Sequence, residues 1–548
     1  SGLVVHYTVL VIPLLCVTML LMAFNNTKPT PRLLALLFLL VLLVAGGLRT
    51  YDLDWDQGTH LHPDERYLTM VAAALEPPDA LGEYWDPARS TMNPTNQGYA
   101  GYVYGTFPLF LTRIVGGWLD TLCETDAPLL AEETCTPGRF TGYGGIHLVG
   151  RALSALADLL TLIALAALAY QLFDETVALL AGALYAFAVL PIQHSHFFVV
   201  DNFATLFVIW TLTLSVHAVL TGRRWPLLLG GITTGLAVAS KISTWPTALI
   251  VAAGGVLHRR RTDDRSTYEL TLDIPSLLAL IGSGALAAVV FRAVQPYAFA
   301  GPGFFNVRLN ESWMESMRYI RRLVSGEIDV PYGHQWANRA PVVFPWRNMV
   351  IWGLGLPLGL TAWLGWGTFA WQTARHRQWV RLLPWLWATG FFLYQSVQWV
   401  KSMRYLLPVY PVFVLFAAWV GVWGSRQLLD REPHSRRLRR LVTTLGRALP
   451  WLMLASAALW AIAFMQIYVR PLTRISASRW IYDHVPTAAT LHAESGQTHQ
   501  LPIVPHTRLS ADGVPLSVPL TVDTHSTIDR LTLNKVSHEG ETGPRTLH

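Results

Sequence analysis

About twelve apolar runs of bilayer-spanning length dominate this chain and leave little choice of fold. With approximate limits they cover 3–24, 33–48, 148–170, 177–193, 199–220, 226–241, 244–258, 275–293, 348–372, 382–400, 405–424 and 448–468. Inside a bilayer the backbone must satisfy its own N–H and C=O groups, so such runs fold as helices. The sequence therefore predicts an all-α polytopic membrane protein. Only 14% of the 548 residues are charged, against about a quarter in soluble domains. The 22 Trp and 19 Tyr suit two membrane interfaces. A formal charge of +6 needs no nucleic-acid partner, because the basic residues gather in short linkers. The first run begins without a basic n-region or a cleavage site, and it reads as a retained helix rather than a signal peptide.

Those linkers orient the chain. Lys28 and Arg32, Arg223 and Arg224, Arg259 to Arg261, Arg375, Arg377 and Arg381, and the RRLRR run at 436–440 fall between alternate runs. Placed on the cytoplasmic side, they leave 49–147, 294–347 and everything after 468 outside. The expected organisation is a membrane domain over 1–470 with two large external loops. A small external segment over 471–548 follows, carrying some β structure such as LTLNKV at 531–536 and reading as a truncated domain. Each large loop holds an amphipathic stretch. In GYVYGTFPLFLTRIVGGWL, Phe107, Phe110 and Leu111 share a helical face and Trp118 is an interfacial anchor. In the second loop Trp313, Met317, Ile320 and Leu323 recur at helical spacing beside Arg318, Arg321 and Arg322, a helix able to cover a membrane-embedded site. Of three cysteines, Cys16 is in an apolar run. Cys123 and Cys135 share the first loop, where either a bridge or two thiols would fit. No Cys/His spacing marks a structural zinc site.

Candidate chemistry lies on the external side. DLDWDQGTHLHPDERY, residues 52–67, crowds five carboxylates, two histidines and an arginine against the end of the second apolar run. Within it HPDE gives His62, Asp64 and Glu65. Arg151 and Asp158 share one face of the third span, a spacing that suits a pair inside the bundle. His194, His196 and Asp201 sit at one outward turn, Lys241 at another, and Lys401 with Arg404 at a third. Ionisable groups at membrane depth are costly and mark function. Each also has a plainer reading: solvated loop acids, interfacial histidines, or lysines that snorkel to headgroups. A shared side favours one cavity, with Lys and Arg to hold a phosphate and a carboxylate to orient a hydroxyl or take its proton.

These motifs resemble those of the GT-C glycosyltransferases, in particular family 39, which includes protein O-mannosyltransferases and aminoarabinose transferases. The resemblance rests on HPDE after the 33–48 run, YGTFPLFLTR, QHSHFFVVDNFATLF, the Gly/Ala span ending in SKIST, QPYAF at 295–299, KSMRYLLPVYP and ASRWIYDHVP, and it covers roughly residues 30–490. It implies a GT-C bundle and an inverting hexosyl or pentosyl transfer from a polyprenyl-phosphate sugar. The catalytic acid would be Asp64, with Glu65 beside it. It implies no cofactor and leaves a divalent metal open. One departure stands out: aminoarabinose transferases carry a phosphate-contacting lysine where this chain has Tyr104 and Gly105. Donor phosphate would then rest on Arg404 and Lys241, with Lys401, His196, Asp201, His62, Tyr104 and Arg151 lining the cavity and no metal ligand assigned. Expected partners are membrane lipids, the lipid-linked sugar, and a protein, lipid or glycan acceptor. The expected location is the plasma (inner) membrane with the site facing outside or the periplasm. The rival readings are a transporter or lipid-linked-sugar flippase, in which repeated halves and broken helices are expected, and a non-catalytic membrane subunit of the same fold.

Overall fold

A computed structural model describes residues 30–124, 135–136, 138–262, 265–484, 487–494, 496, 498–503 and 528–533. The run at 3–24, Cys16, and residues 534–536 of LTLNKV lie outside them. Contacts divide the chain into two compact units, 1–466 and 467–548.

Every other apolar run falls mainly on helical backbone. In order these helices are α1 (Pro31–Thr50), α2 (Pro63–Ala74), α3 (Thr106–Cys123), α4 (Ile146–Leu172), α5 (Glu175–Ala186), α6 (Val189–Ser195), α7 (Asp201–Thr221), α8 (Trp225–Ser240), α9 (Thr247–Val256), α10 (Ile274–Val294), α11 (Glu311–Ser325), α12 (Leu356–Arg375), α13 (Leu382–Ser396), α14 (Tyr410–Leu429), α15 (Arg436–Val469) and α16 (Thr473–His484). Among the described residues six helices are long and apolar enough to span a bilayer, or seven if the α5–α6 pair, bent by 58°, counts as one. This is fewer than the twelve runs suggest, and the reason is local. Lys241 leaves helical geometry at the end of α8, Pro246 caps α9, and Gly355 with a φ of +85° separates α12 from the π turn before it.

The helices bury α14 almost completely and pack α4 against α7. Leu36, Leu39 and Leu43 of α1, Leu277, Leu278 and Ile281 of α10, and Leu360 and Leu364 of α12 face outward. In water such faces would be a liability; in a bilayer they are its contact surface. The chain is an integral membrane protein. Two β elements accompany the helices: a hairpin that the all-α expectation lacked, and a sheet in the C-terminal segment, where some β structure was expected. An antiparallel hairpin joins β1 (Leu257–Thr262) to β2 (Arg265–Leu270) in the register Leu257 to Leu270. The second unit holds a three-stranded antiparallel sheet in the order β4 (Thr498–Ile503), β3 (Thr487–Ala493), β5 (Ile528–Leu533).

Two further expectations change. Arg151 and Asp158 do not pair. Asp158 accepts from Arg49 Nε at 2.5 Å and from the Tyr185 hydroxyl at 2.6 Å, and Arg49 also donates to the carbonyls of Ala186 and Tyr185. Seven residues along α4 do return to one face, but α1 supplies the nearer cation. Helix α3 does not present one lipid-side stripe either. Phe107 and Leu111 pack with Phe203 and Leu206, whereas Phe110 packs with Tyr84 and Tyr297. The helix is wedged between α7 and the remainder of the first loop, with Trp118 exposed. Cys123 and Cys135 are joined in a disulfide. Helix α11 is amphipathic as expected: Leu323 is buried and Arg318 lies outside with Glu311. Its last turn meets the chain just before Lys401, where Val324 accepts from the backbone N–H of Trp399 and of Val400.

Candidate active site

The HPDE tetrapeptide is a helix start. His62 is the N-cap of α2, and its Nδ1 accepts from Glu65 N at 3.2 Å. Pro63 fills the first helical position, where no N–H is needed, and two acids sit in the first turn near the positive end of the helix dipole. Adjacent helical residues point in different directions, and the two acids separate accordingly. Asp64 is part exposed. Glu65 is fully buried.

Asp64 is held on both oxygens. Tyr104 donates its hydroxyl to Oδ1 at 2.7 Å, and Arg404 donates to Oδ2. Next to them Lys241 Nζ donates to Asp201 Oδ1 at 2.5 Å. The ring of Tyr405 joins the two pairs: Lys241 Nζ lies 4.4 Å and Arg404 Cζ 5.3 Å from its centroid, a cation–π distance for each. Both cations thus lie against the same aromatic ring. Asp201 is buried at the first turn of α7.

Close backbone approach assembles this cluster. A Cβ on Gly105 would run into the carbonyls of Ala239 and Ser240, so only glycine lets the YGTFP turn lie against the end of α8. That contact fixes the backbone next to Tyr104. Thr106 secures the same turn, donating its N–H to Gln295 Oε1 at 2.8 Å. Gly150 gives up its side-chain space on α4 to the Phe198 ring.

The other expected residues do different work. Glu65 accepts from Arg151 Nε and Nη2, both at 2.7 Å, and from Phe198 N at 2.8 Å. Arg151 also reaches the Leu53 carbonyl at 2.6 Å and Asp56 at 3.0 Å. This pair braces the start of α2, and with it Asp64, from behind. His196 lies between two backbone carbonyls, Ile192 beside Nδ1 and Tyr51 beside Nε2, and a neutral ring donates to one of them. Lys401 donates to the Trp399 carbonyl at 3.2 Å. His62 lies against Phe197, ring centroids 4.4 Å apart, and burial lowers its pKa to about 4, so it is neutral at pH 7. Burial and the Asp64 carboxylate push the Tyr104 phenol well above its ordinary value, which keeps it a donor. Tyr332, from the second large loop, is also pushed up, mainly by burial, with Tyr405 and Asp64 adding to it. Sequence reasoning missed Tyr405 and Asp56. Tyr405 was in view beside Arg404 in the KSMRYLLP motif.

Among solved structures, the chain is similar to the apo oligosaccharyltransferase of Archaeoglobus fulgidus, with a TM-score of 0.50 and 15% identity over 88% of this chain and 62% of that one. It thus spans less than two thirds of that protein's length. It is also similar to ArnT from Cupriavidus metallidurans in the apo state, at TM-score 0.40, 15% identity and 78% of each chain. The same protein bound to undecaprenyl phosphate gives TM-score 0.40 and 16% identity, over 78% of this chain and 79% of that one. The fold is that of the GT-C membrane glycosyltransferases, as the motifs implied. Residues 144–281 match the family model described as dolichyl-phosphate-mannose-protein mannosyltransferase. No curated protein gives a significant match.

Proposed function

We propose that this chain is an inverting membrane glycosyltransferase that moves a sugar from a polyprenyl phosphate to an acceptor at the outer face of the plasma (inner) membrane. The observation that carries the reading is the pairing of Asp64 with Arg404 beside Lys241. One carboxylate and two cations are the groups that an acceptor hydroxyl and a donor phosphate would require. The lipid-phosphate donor named in the matching family model has the same chemistry. In this reading residues 1–470 carry the transfer and 471–548 form an external segment.

The donor phosphate draws Arg404 away from Asp64, and Lys241 adds a second positive charge. Asp64, still oriented by Tyr104, takes the acceptor's proton. The acceptor oxygen bonds to the anomeric carbon from the face opposite the phosphate. The carbon–oxygen bond to phosphate breaks, and its electron pair leaves on the lipid phosphate. Attack from one face inverts the anomeric configuration. A divalent ion at Asp64 would have to displace the guanidinium that already neutralises it, so the donor set there fits an anion.

Transfer from a labelled polyprenyl-phosphate sugar in proteoliposomes tests this, with label followed into protein, lipid and glycan fractions. Asp64→Asn should lose transfer by about 10²–10⁴-fold, the usual worth of a positioned acid or base, while still binding the donor. Full activity in Asp64→Asn refutes the role. A flippase would keep lipid translocation in that variant, and a non-catalytic subunit would show no transfer in the unaltered chain.

A further inference from the structure

The loop between α1 and α2 gathers a second set of ionisable groups, none of which touches Asp64. The loop is wound tightly, with positive φ at Asp52, Gln57, Gly58 and His60. Asp54 Oδ1 accepts from Gly58 N at 2.9 Å, and Asp56 Oδ2 from Leu61 N at 3.0 Å. His147, in the first turn of α4, brings Nε2 within 3.8 Å of Asp54 Oδ1. One ligand atom from each of Asp54, Asp56 and His147 lies within 4.8 Å of the others. The His60 ring stands edge-on to His147, centroids 4.5 Å apart.

One observation points to an absent partner. His60 and His147 are 2% and 1% exposed, yet no ring nitrogen of either makes a hydrogen bond of good geometry. The Tyr143 backbone lies close to the His147 ring, and Asp54 Oδ1 stands 3.8 Å from its Nε2. Buried polar atoms are normally satisfied, and both rings lie beside the Asp54 and Asp56 carboxylates.

We propose that Asp54, Asp56 and His147, whose ligand atoms already converge, hold one zinc-class ion, with the neighbouring His60 ring turning in as the fourth ligand. Two imidazole nitrogens and two carboxylate oxygens make a tetrahedral Zn²⁺ set, whereas Mg²⁺ and Ca²⁺ prefer oxygen alone. Half-exposed Asp54 can swing inward to close the set. Arg151, already neutralised by Glu65, braces Asp56 from outside as an outer-shell partner. The ion ties the loop after α1 to the start of α4, and through Asp56, Arg151 and Glu65 it fixes the turn that carries Asp64. These four residues position the site and take no part in the transfer, so the inference stands whether or not the transfer reading does.

The test uses the purified full chain, stripped with chelator and titrated with ZnCl₂. Elemental analysis should find about one tightly held zinc per chain, and Co²⁺ should give the visible d–d bands of a tetrahedral site. Zinc, but not Mg²⁺, should raise the melting temperature. Loss of a ligand should weaken zinc by more than the about 10–100-fold that an outer-shell change costs, in His60→Ala and His147→Ala alike. Should His147→Ala fail to fold, Asp54→Asn carries the test, because it keeps a carbonyl for the Gly58 N–H. Asp64→Asn should bind zinc normally. Zinc no tighter than Mg²⁺, unaltered zinc in both Asp54→Asn and His60→Ala, or zinc lost in Asp64→Asn would each overturn the proposal, the last by placing the ion at Asp64.

Discussion

Replacing Glu65 separates two roles that the sequence allows it, chemical acid or structural brace. The structure gives it two charge-assisted bonds to Arg151, both 2.7 Å, and one from Phe198 N at 2.8 Å, with neither Glu65 nor Arg151 exposed. Glu65→Ala breaks a buried pair, which costs about 3–5 kcal/mol. Leaving the Phe198 N–H without a partner adds about 1–3 kcal/mol. Asp56 keeps a hold on Arg151 and pulls the total back toward about 3–5 kcal/mol. Glu65→Gln should be milder. Its amide oxygen can still accept from Phe198 and from one Arg151 N–H, so the loss is near that of one hydrogen bond to a charged group, about 1.5–3 kcal/mol. Arg151→Met and the double variant complete a cycle whose coupling term should fall within about 0.5–3 kcal/mol. The assay is SDS-titrated unfolding in mixed micelles, followed by Trp fluorescence and paired with the transfer assay. Transfer should fall in step with stability, and donor affinity should fall too. A Glu65→Gln protein as stable as the wild type but inactive would refute the brace and make Glu65 a chemical participant.

The remaining predictions follow from the same geometry. Burial lowers the His62 pKa from 6.5 to about 4, so the unfolded chain binds its proton first. Its contribution is favourable above pH 6.5 and is lost as pH falls from 6.5 toward 4; His62→Gln should flatten that part of a stability–pH curve, and an unchanged curve would contradict the burial argument. Gly105→Ala must push the YGTFP backbone off the Ala239 and Ser240 carbonyls, costing about 1–3 kcal/mol as an overpacking change and lowering transfer by moving Tyr104; a normal melting temperature with normal activity would count against the close approach. Arg404→Ala should weaken binding of polyprenyl phosphate more than it lowers stability, measured by lipid titration, and equal losses would mark a structural role. Cysteine-accessibility labelling should place 49–147 and 294–347 on one face and 436–440 on the other; labelling 49–147 together with 436–440 would reverse the topology argument.

What was legible in the sequence follows the range of the forces involved. Helices α1, α4, α7, α10 and α14 were readable because each buries or exposes apolar side chains along its own length. The N-terminus of α2 was readable because His62, Pro63 and the two acids satisfy it locally. Asp64, Arg404, Lys241 and Asp201 were readable as neighbours because membrane topology restricts them to one end of the bundle. Partner choice was not readable. Asp158 sits seven residues from Arg151 on one helix, yet its nearest cation, Arg49, comes from another helix. Arg151 instead reaches Glu65 and Asp56 in the first loop. His194 and His196 look equivalent in QHSH, but the short α6 helix sets His196 between two backbone carbonyls. The gathering of Asp54, Asp56, His60 and His147 was hidden because most of the first loop separates His147 from the rest, and no short motif spans that distance.

The charges around Asp64 cancel in pairs: Asp64 with Arg404, Asp201 with Lys241, and Glu65 with Arg151 behind them. Such a cluster carries little net charge and holds few counterions. On the proposed reading, a phosphate brought there would compete with Asp64 for Arg404, and the carboxylate would lose its counter-cation only then. Arrival of the lipid would be the event that frees the acid, and stray water before it would meet a quenched one.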